Sequence, residues 1–151
     1  MSRRLWYAAA LALLLLADRG TDIGKLRPVE LVQLMEEKGI LILRTDTGDA
    51  GWGLTVEQAV AKLKENTPGQ IYLDTADYLL LDEGTEMYLP QMAGVMKKTT
   101  RMAYAEPGGD LQNAVSYMRV HQPSSTLKSD LKPKEKLIWE GGQMNMKKIQ
   151  E

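Results

Sequence analysis

Cysteine is absent from this sequence, and histidine occurs once, as His121. The first absence excludes disulfides, thiolate nucleophiles, a lipid-modified cysteine and Cys-based metal centres. The second leaves a His-rich metal site and most Ser–His chemistry short of residues. Phenylalanine is also missing while methionine occurs 9 times, so the core is expected to be soft and adaptable in shape. Neither sign of charge is in excess, with 19 Lys and Arg against 20 Asp and Glu. Nothing in that balance would neutralise a row of phosphates, which argues against a nucleic-acid partner. What is present, 151 residues of which 44% are apolar and 26% charged, is the composition of one folded domain.

The N-terminus differs from the rest. Arg3 and Arg4 precede an unbroken apolar run over residues 5–17, which Asp18 and Arg19 stop. A basic start, a short apolar stretch and small residues at its exit describe an export signal. At ~1.5 Å rise per residue such a run reaches only ~20 Å, short of a ~30 Å hydrocarbon core. Residues 1–17 are therefore expected to be a signal peptide, or a membrane anchor if left uncleaved, with Trp6 and Tyr7 at the interface. Either way the remainder is placed outside the cytoplasm.

Residues 18–27 read as a linker and residues 28–121 as a single α/β domain. The apolar positions of residues 28–35 lead through Glu36, Glu37, Lys38 and Gly39 into the β-favouring run Ile40 to Leu43, the pattern of a hairpin. A helix over residues 28–38 is the alternative, because Leu31, Leu34 and Met35 also fit a 3.6 period. Thr55 with Gln58 three residues on forms a capping-box pattern, and Val56, Ala59, Val60 and Leu63 make one apolar stripe. Asn66, Thr67, Pro68 and Gly69 end that helix. Strands are expected over residues 70–74, 78–81 and 101–105, with a helix running to about Lys98 and Pro90 in its first turn. Asp110 caps a last helix whose inner face is Leu111, Ala114, Val115 and Met118. The order β-β-α-β-(β)-α-β-α implies an α/β (α+β) two-layer sandwich: a mixed sheet with an N-terminal hairpin and helices on one face. Residues 122–151, rich in Lys, Ser, Asp and Pro, read as a flexible polar tail. One apolar island, Leu137, Ile138 and Trp139, either docks as an edge strand or meets a partner.

The sharpest local string is Asp46-Thr47-Gly48 after the apolar run, which resembles the signature of aspartic proteases. Two such carboxylates brought together in a dimer would share one proton around a water. Arg44, Thr45 and Asp49 depart from that family's neighbours, and helical patterns replace its all-β continuation. Asp46 is thus only a weak catalytic alternative, that of a small aspartate-dependent hydrolase. The carboxylates and glycines of residues 45–53 lack the spacing of a cation loop or of a phosphate-binding loop, so no metal and no cofactor is assigned. Asp74, Asp77, Asp82 and Glu83 read as strand-end turns, and His121 suits the negative end of a helix dipole. Trp52 in a glycine loop folds back on the core or anchors a partner.

The stretch Gly53-Leu54-Thr55-Val56-Glu57-Gln58-Ala59-Val60-Ala61-Lys62-Leu63 resembles the glycine-led helix in the N-terminal domain of germinant-receptor C subunits, membrane-attached proteins of spore-forming bacteria. The order of elements around it, from a strand-rich start behind an export signal to the strand after residue 70, is similar too. That family is anchored through a lipid-modified cysteine, absent here, and its chains are longer. The resemblance implies a stand-alone relative of one such domain. Taken together, the expected function is a non-enzymatic, extracytoplasmic domain acting by protein–protein contact. Its partner is a protein of unknown identity, and Trp52, Leu137, Ile138 and Trp139 are the candidate contact residues.

Overall fold

The computed structural model describes residues 26–150; the expected signal or anchor, and the linker up to residue 25, lie outside the described residues. Strand β1 (Leu26–Pro28) already belongs to the fold, so the expected linker ends before residue 26. Strands β2 (Leu31–Glu37) and β3 (Ile40–Thr45) form the N-terminal hairpin, in register Glu37↔Ile40. The two residues between them, Lys38 and Gly39, have φ of 51° and 80°. Two positive φ values in a two-residue loop are what the twist of a tight hairpin demands, and this settles residues 31–37 as strand, not helix. Five successive positions of β2, Leu31 to Met35, are buried. The strand is covered on both faces, which is why its apolar residues do not alternate cleanly.

Strand β4 (Ala50–Gly53) returns antiparallel to β3 and leads into helix α1 (Val56–Asn66). Thr55 caps the helix, its hydroxyl accepting from the Gln58 N–H at 3.1 Å, while Gln58 Oε1 accepts from the Leu54 N–H at 2.9 Å. The reciprocal pair satisfies amide groups that a helix start leaves open. Strand β5 (Gln70–Tyr72) does not enter the main sheet; it pairs parallel with β1 as a separate two-stranded piece. Strand β6 (Tyr78–Leu81) is fully buried and lies between β2 and β7 (Arg101–Ala105), parallel to both. Between β6 and β7 a short 3₁₀ turn (Glu86–Tyr88) runs into helix α2 (Leu89–Val95), with Pro90 in its first turn. Helix α3 (Leu111–Val120) follows, its cap Asp110 accepting from the N–H groups of Gln112 and Asn113.

The C-terminal thirty residues correct the reading of a flexible tail. Strand β8 (Ser125–Thr126) pairs antiparallel with β7, β9 (Glu135–Glu140) pairs parallel with it further along, and β10 (Gln143–Lys148) closes a second hairpin on β9. Gly141 and Gly142, at φ of 58° and 78°, make the same kind of two-residue turn as Lys38 and Gly39. The sheet therefore runs β10-β9-β7-β6-β2-β3-β4. The apolar island docks on the sheet in β9, paired with β7 on one side and β10 on the other, so it is an inner strand and not the edge strand expected.

Two apolar clusters flank the sheet. On one face Val32, Leu34, Leu41, Leu43, Leu79, Leu81 and Met102 pack under α1 and α2. On the other, Leu31, Tyr78, Leu80, Ala103, Ala105 and Leu137 pack under Leu111, Ala114, Val115 and Met118 of α3. The mixed α/β sandwich with its N-terminal hairpin is as expected, and α1 and α2 share one face. Both connections, β2 to β6 and β6 to β7, step to a parallel neighbour in the same direction along the sheet, so a common handedness puts their helices on one face. Helix α3 takes the opposite face, so the helices do not all lie on the one face expected.

Candidate functional site

The loop after β3 is built around Asp46. Its Oδ1 accepts from the N–H of Glu30 and of Leu31, both at 3.1 Å, and its own N–H donates to the Leu31 carbonyl at 3.1 Å. The residue is 9% exposed. Burial raises its pKa above the ordinary aspartate value; the two N–H bonds pull the other way without cancelling that effect. This carboxyl latches the entry of β2 onto the β3–β4 loop, and the helical layers on both faces of the sheet are unlike a protease of the type the Asp-Thr-Gly string suggests. Within the same loop Thr47 donates to Asp49 at 2.8 Å and Gly48 takes a φ of 90°, which makes it a structured turn. Among the described residues no group of three or more His, Asp or Glu is placed to hold a metal ion.

The four acidic residues around β6 do not form one cluster. Asp74 and Asp77 lie before the strand, Asp82 and Glu83 after it, and the five extended steps from Asp77 to Asp82 keep the pairs ~16 Å apart. Asp77 pairs with Lys97, and Glu83 with Lys136 at 3.0 Å. His121 ends α3; its N–H donates to the Tyr117 carbonyl and its ring stacks on Tyr117 with centroids 4.6 Å apart.

Of the four residues expected to meet a partner, one is fully buried. Leu137 packs under α3 in the second core cluster, so it is core, not contact surface. Trp139 leans on Gly109, where a β-carbon would fall 2.3 Å from the indole ring. With Ile138 it is half-buried in β9.

Trp52 is different. It is 50% exposed, and the register places it opposite Ile42, which in turn lies opposite Met35. Cross-strand partners share a face, so Met35, Ile42 and Trp52 form one row across β2, β3 and β4. That row lies on the α3 side of the sheet, but α3 packs on β2, β6, β7 and β9 and does not cover β3 and β4. Ile40, at 42% exposed, extends the patch, and Glu37 and Lys38 rim a shallow cleft of about 380 Å³ over it. From the edge, Lys62 Nζ comes within 5.4 Å of the Trp52 ring centroid, a cation–π contact.

The glycines on either side of Trp52 explain why this tryptophan faces outward. A β-carbon at Gly51 would lie 2.3 Å from Ala59 O and Leu63 N, and one at Gly53 would lie 2.5 Å from Gln58 Cβ. Both positions press against α1, so alternation sends residue 52 to the other face. Helix α1 also closes both ends of the edge: Asn66 Nδ2 donates to the Ala50 carbonyl at 3.1 Å, and Gln58 takes the Leu54 N–H. Strand addition at β4 is thereby discouraged, and what the surface offers is side chains. Ile40 and Ile42 were not singled out from sequence. Their signal was the alternation with Leu41 and Leu43, which exposes one pair wherever a helix covers only one face. Compared with protein families, curated proteins and solved structures, the chain matches none.

Proposed function

We propose that this chain is a non-enzymatic α/β domain, exported or tethered to the membrane by its N-terminal segment. It acts by contact with another protein in a cell-envelope or spore-associated assembly. The contact surface is the uncovered sheet face of Ile40, Ile42 and Trp52. The carrying observation is that row: a half-exposed tryptophan backed by isoleucines, on a rigid sheet, is the composition of a binding hot spot rather than of solvated surface. Glu37, Lys38 and Lys62 give its border both signs of charge, which suits a partner that is apolar at the centre with a polar rim. Placement outside the cytoplasm rests on the apolar run behind Arg3 and Arg4, and the spore setting on the resemblance of residues 53–63.

The test is the native size of the protein extracted from its own cells in mild detergent. The wild-type chain migrates in an assembly, and the double variant Ile42→Ser, Trp52→Ser migrates free while keeping its helical and strand content. Equal assembly of both forms would remove this face from the account. A reporter fused behind residue 25 that stays in the cytoplasm would remove the export.

A further inference from the structure

The last strand of the sheet is held to the core by methionine. Burial alternates along β10, and Met144 and Met146 are the two residues of the strand that are not exposed. They lie opposite Trp139 and Leu137 of β9 and pack with them on the α3 side, in the second core cluster. Gln143, Asn145, Lys147 and Lys148 stand in solvent. A terminal hairpin is marginal without an apolar face to pack, and these two side chains are what β10 brings to that face.

The backbone bonds follow the same alternation. The Met146 N–H donates to the Tyr117 hydroxyl of α3 at 3.0 Å, so it points away from β9. Met146 and Leu137 are thus a non-hydrogen-bonded pair, and the pairs Asn145–Ile138 and Lys147–Lys136 on either side carry the cross-strand bonds. Past the strand, the Ile149 N–H donates to the Lys134 carbonyl at 2.9 Å, and Lys147 makes an exposed pair with Glu140 at 3.4 Å.

The other methionines are differently placed. Met35, Met92, Met96, Met102 and Met118 are buried, whereas Met87 is 67% exposed and stands outside both apolar clusters. Among the described residues, Met144 and Met146 are the methionines that combine partial exposure with contact to a core cluster. A solute in water reaches their sulfur atoms, and a change there alters packing.

We propose that Met144 and Met146 are a paired oxidation site for a peroxide, and that their conversion to sulfoxides releases β10 from α3. Each thioether sulfur takes one oxygen from hydrogen peroxide. A sulfur–oxygen bond forms, the O–O bond breaks, the sulfur gives up two electrons and the second oxygen leaves as water. A sulfoxide is polar and hydrated, and seating it against Leu137 and α3 strips that water away. With β10 released, the backbone groups of Lys136 and Ile138 that bonded to it stand open, and β9 becomes an edge able to accept another strand.

The experiment treats the full-length chain in detergent with hydrogen peroxide. Mass spectrometry reads the oxygen gained by each methionine and the hydrogen exchange of peptides from β2, β6 and the β9–β10 hairpin. Once Met144 and Met146 each carry one oxygen, the hairpin amides exchange about tenfold faster or more, while β2 and β6 keep their rates. Met144→Leu combined with Met146→Leu keeps the packing volume and removes the reactive sulfur. In that variant Met87 still oxidises and the hairpin exchanges at the untreated rate. Met144→Gln combined with Met146→Gln supplies polar side chains and exchanges fast without peroxide. The proposal is overturned if Met144 and Met146 oxidise no more than the buried methionines when Met87 is fully converted. It is overturned equally if both become sulfoxides with exchange unchanged, or if the leucine variant loosens on treatment as the wild type does. None of these outcomes bears on the Trp52 face.

Discussion

Replacing Asp46 separates a structural carboxyl from a chemical one. In Asp46→Ala the N–H groups of Glu30 and Leu31 lose the oxygen that accepts from both at 3.1 Å. Leaving a buried donor unsatisfied costs about 1–3 kcal/mol. Leu31 is fully buried and Glu30 only partly, so the pair together is expected to cost about 2–4 kcal/mol. For a domain of this size that is a fall in thermal midpoint of about 5–15 °C. Asp46→Asn keeps an acceptor oxygen and removes a charge that burial disfavours, so it is expected to stay within about 1 kcal/mol of wild type. A pH series sharpens the contrast. Because burial raises the Asp46 pKa above 3.8, the folded chain holds that proton more tightly than the unfolded chain does. The resulting stabilisation is complete below 3.8 and is lost as pH rises through the raised value. The stability of wild type relative to Asp46→Asn should therefore be greater at about pH 3.5 than at about pH 7. Urea unfolding followed by far-ultraviolet circular dichroism measures all three chains. If Asp46→Asn is as damaged as Asp46→Ala, or if Asp46→Ala is neutral, the latch is the wrong account of this residue.

Gly51→Ala sets a β-carbon 2.3 Å from backbone atoms of α1 that cannot turn away, and is expected to cost about 3 kcal/mol or more in urea unfolding. A change under 1 kcal/mol would mean that β4 and α1 are not held together so closely. Trp139 carries a buried Nε1 with no hydrogen-bond partner. Trp139→Phe removes that donor along with some ring area, so the two effects should offset to within about 1 kcal/mol; a thermal midpoint far below wild type would show that Nε1 is satisfied in solution. Deleting residues 135–151 strips β9 and β10 from the flank of β7 and removes Leu137 from under α3. The truncated chain should lose cooperative unfolding in calorimetry, whereas a dispensable tail would leave the transition unchanged.

Elements with a complete local signal were legible in the sequence. Helix α1 announces itself by Thr55 and Gln58, a four-residue apolar stripe and the stop at Asn66 to Gly69. Helix α3 does so by Asp110 and its inner face. Pairing over distance was not legible. Whether residues 70–72 join the main sheet or a separate piece with β1 depends on where α1 delivers the chain, which no local pattern states. The C-terminal strands were hidden by composition: Lys, Ser and Asp between residues 122 and 136 look like solvated chain. Yet Gly141-Gly142 between Leu137/Trp139 and Met144/Met146 carries a hairpin signal of the Gly-Gly type. The candidate surface was half legible. Trp52 stood out as an aromatic among glycines, but the isoleucines beside it needed the position of α3, which leaves β3 and β4 bare on one face.

The contact face is tested most directly by placing a photoactivatable amino acid at position 52, and separately at the exposed position 72, in cells that make the protein. Irradiation should link position 52 to one discrete protein species, identified by mass spectrometry, and link position 72 to none. The same products from both positions, or none from position 52, would contradict the assignment of the Ile40, Ile42 and Trp52 face as the surface through which this protein works.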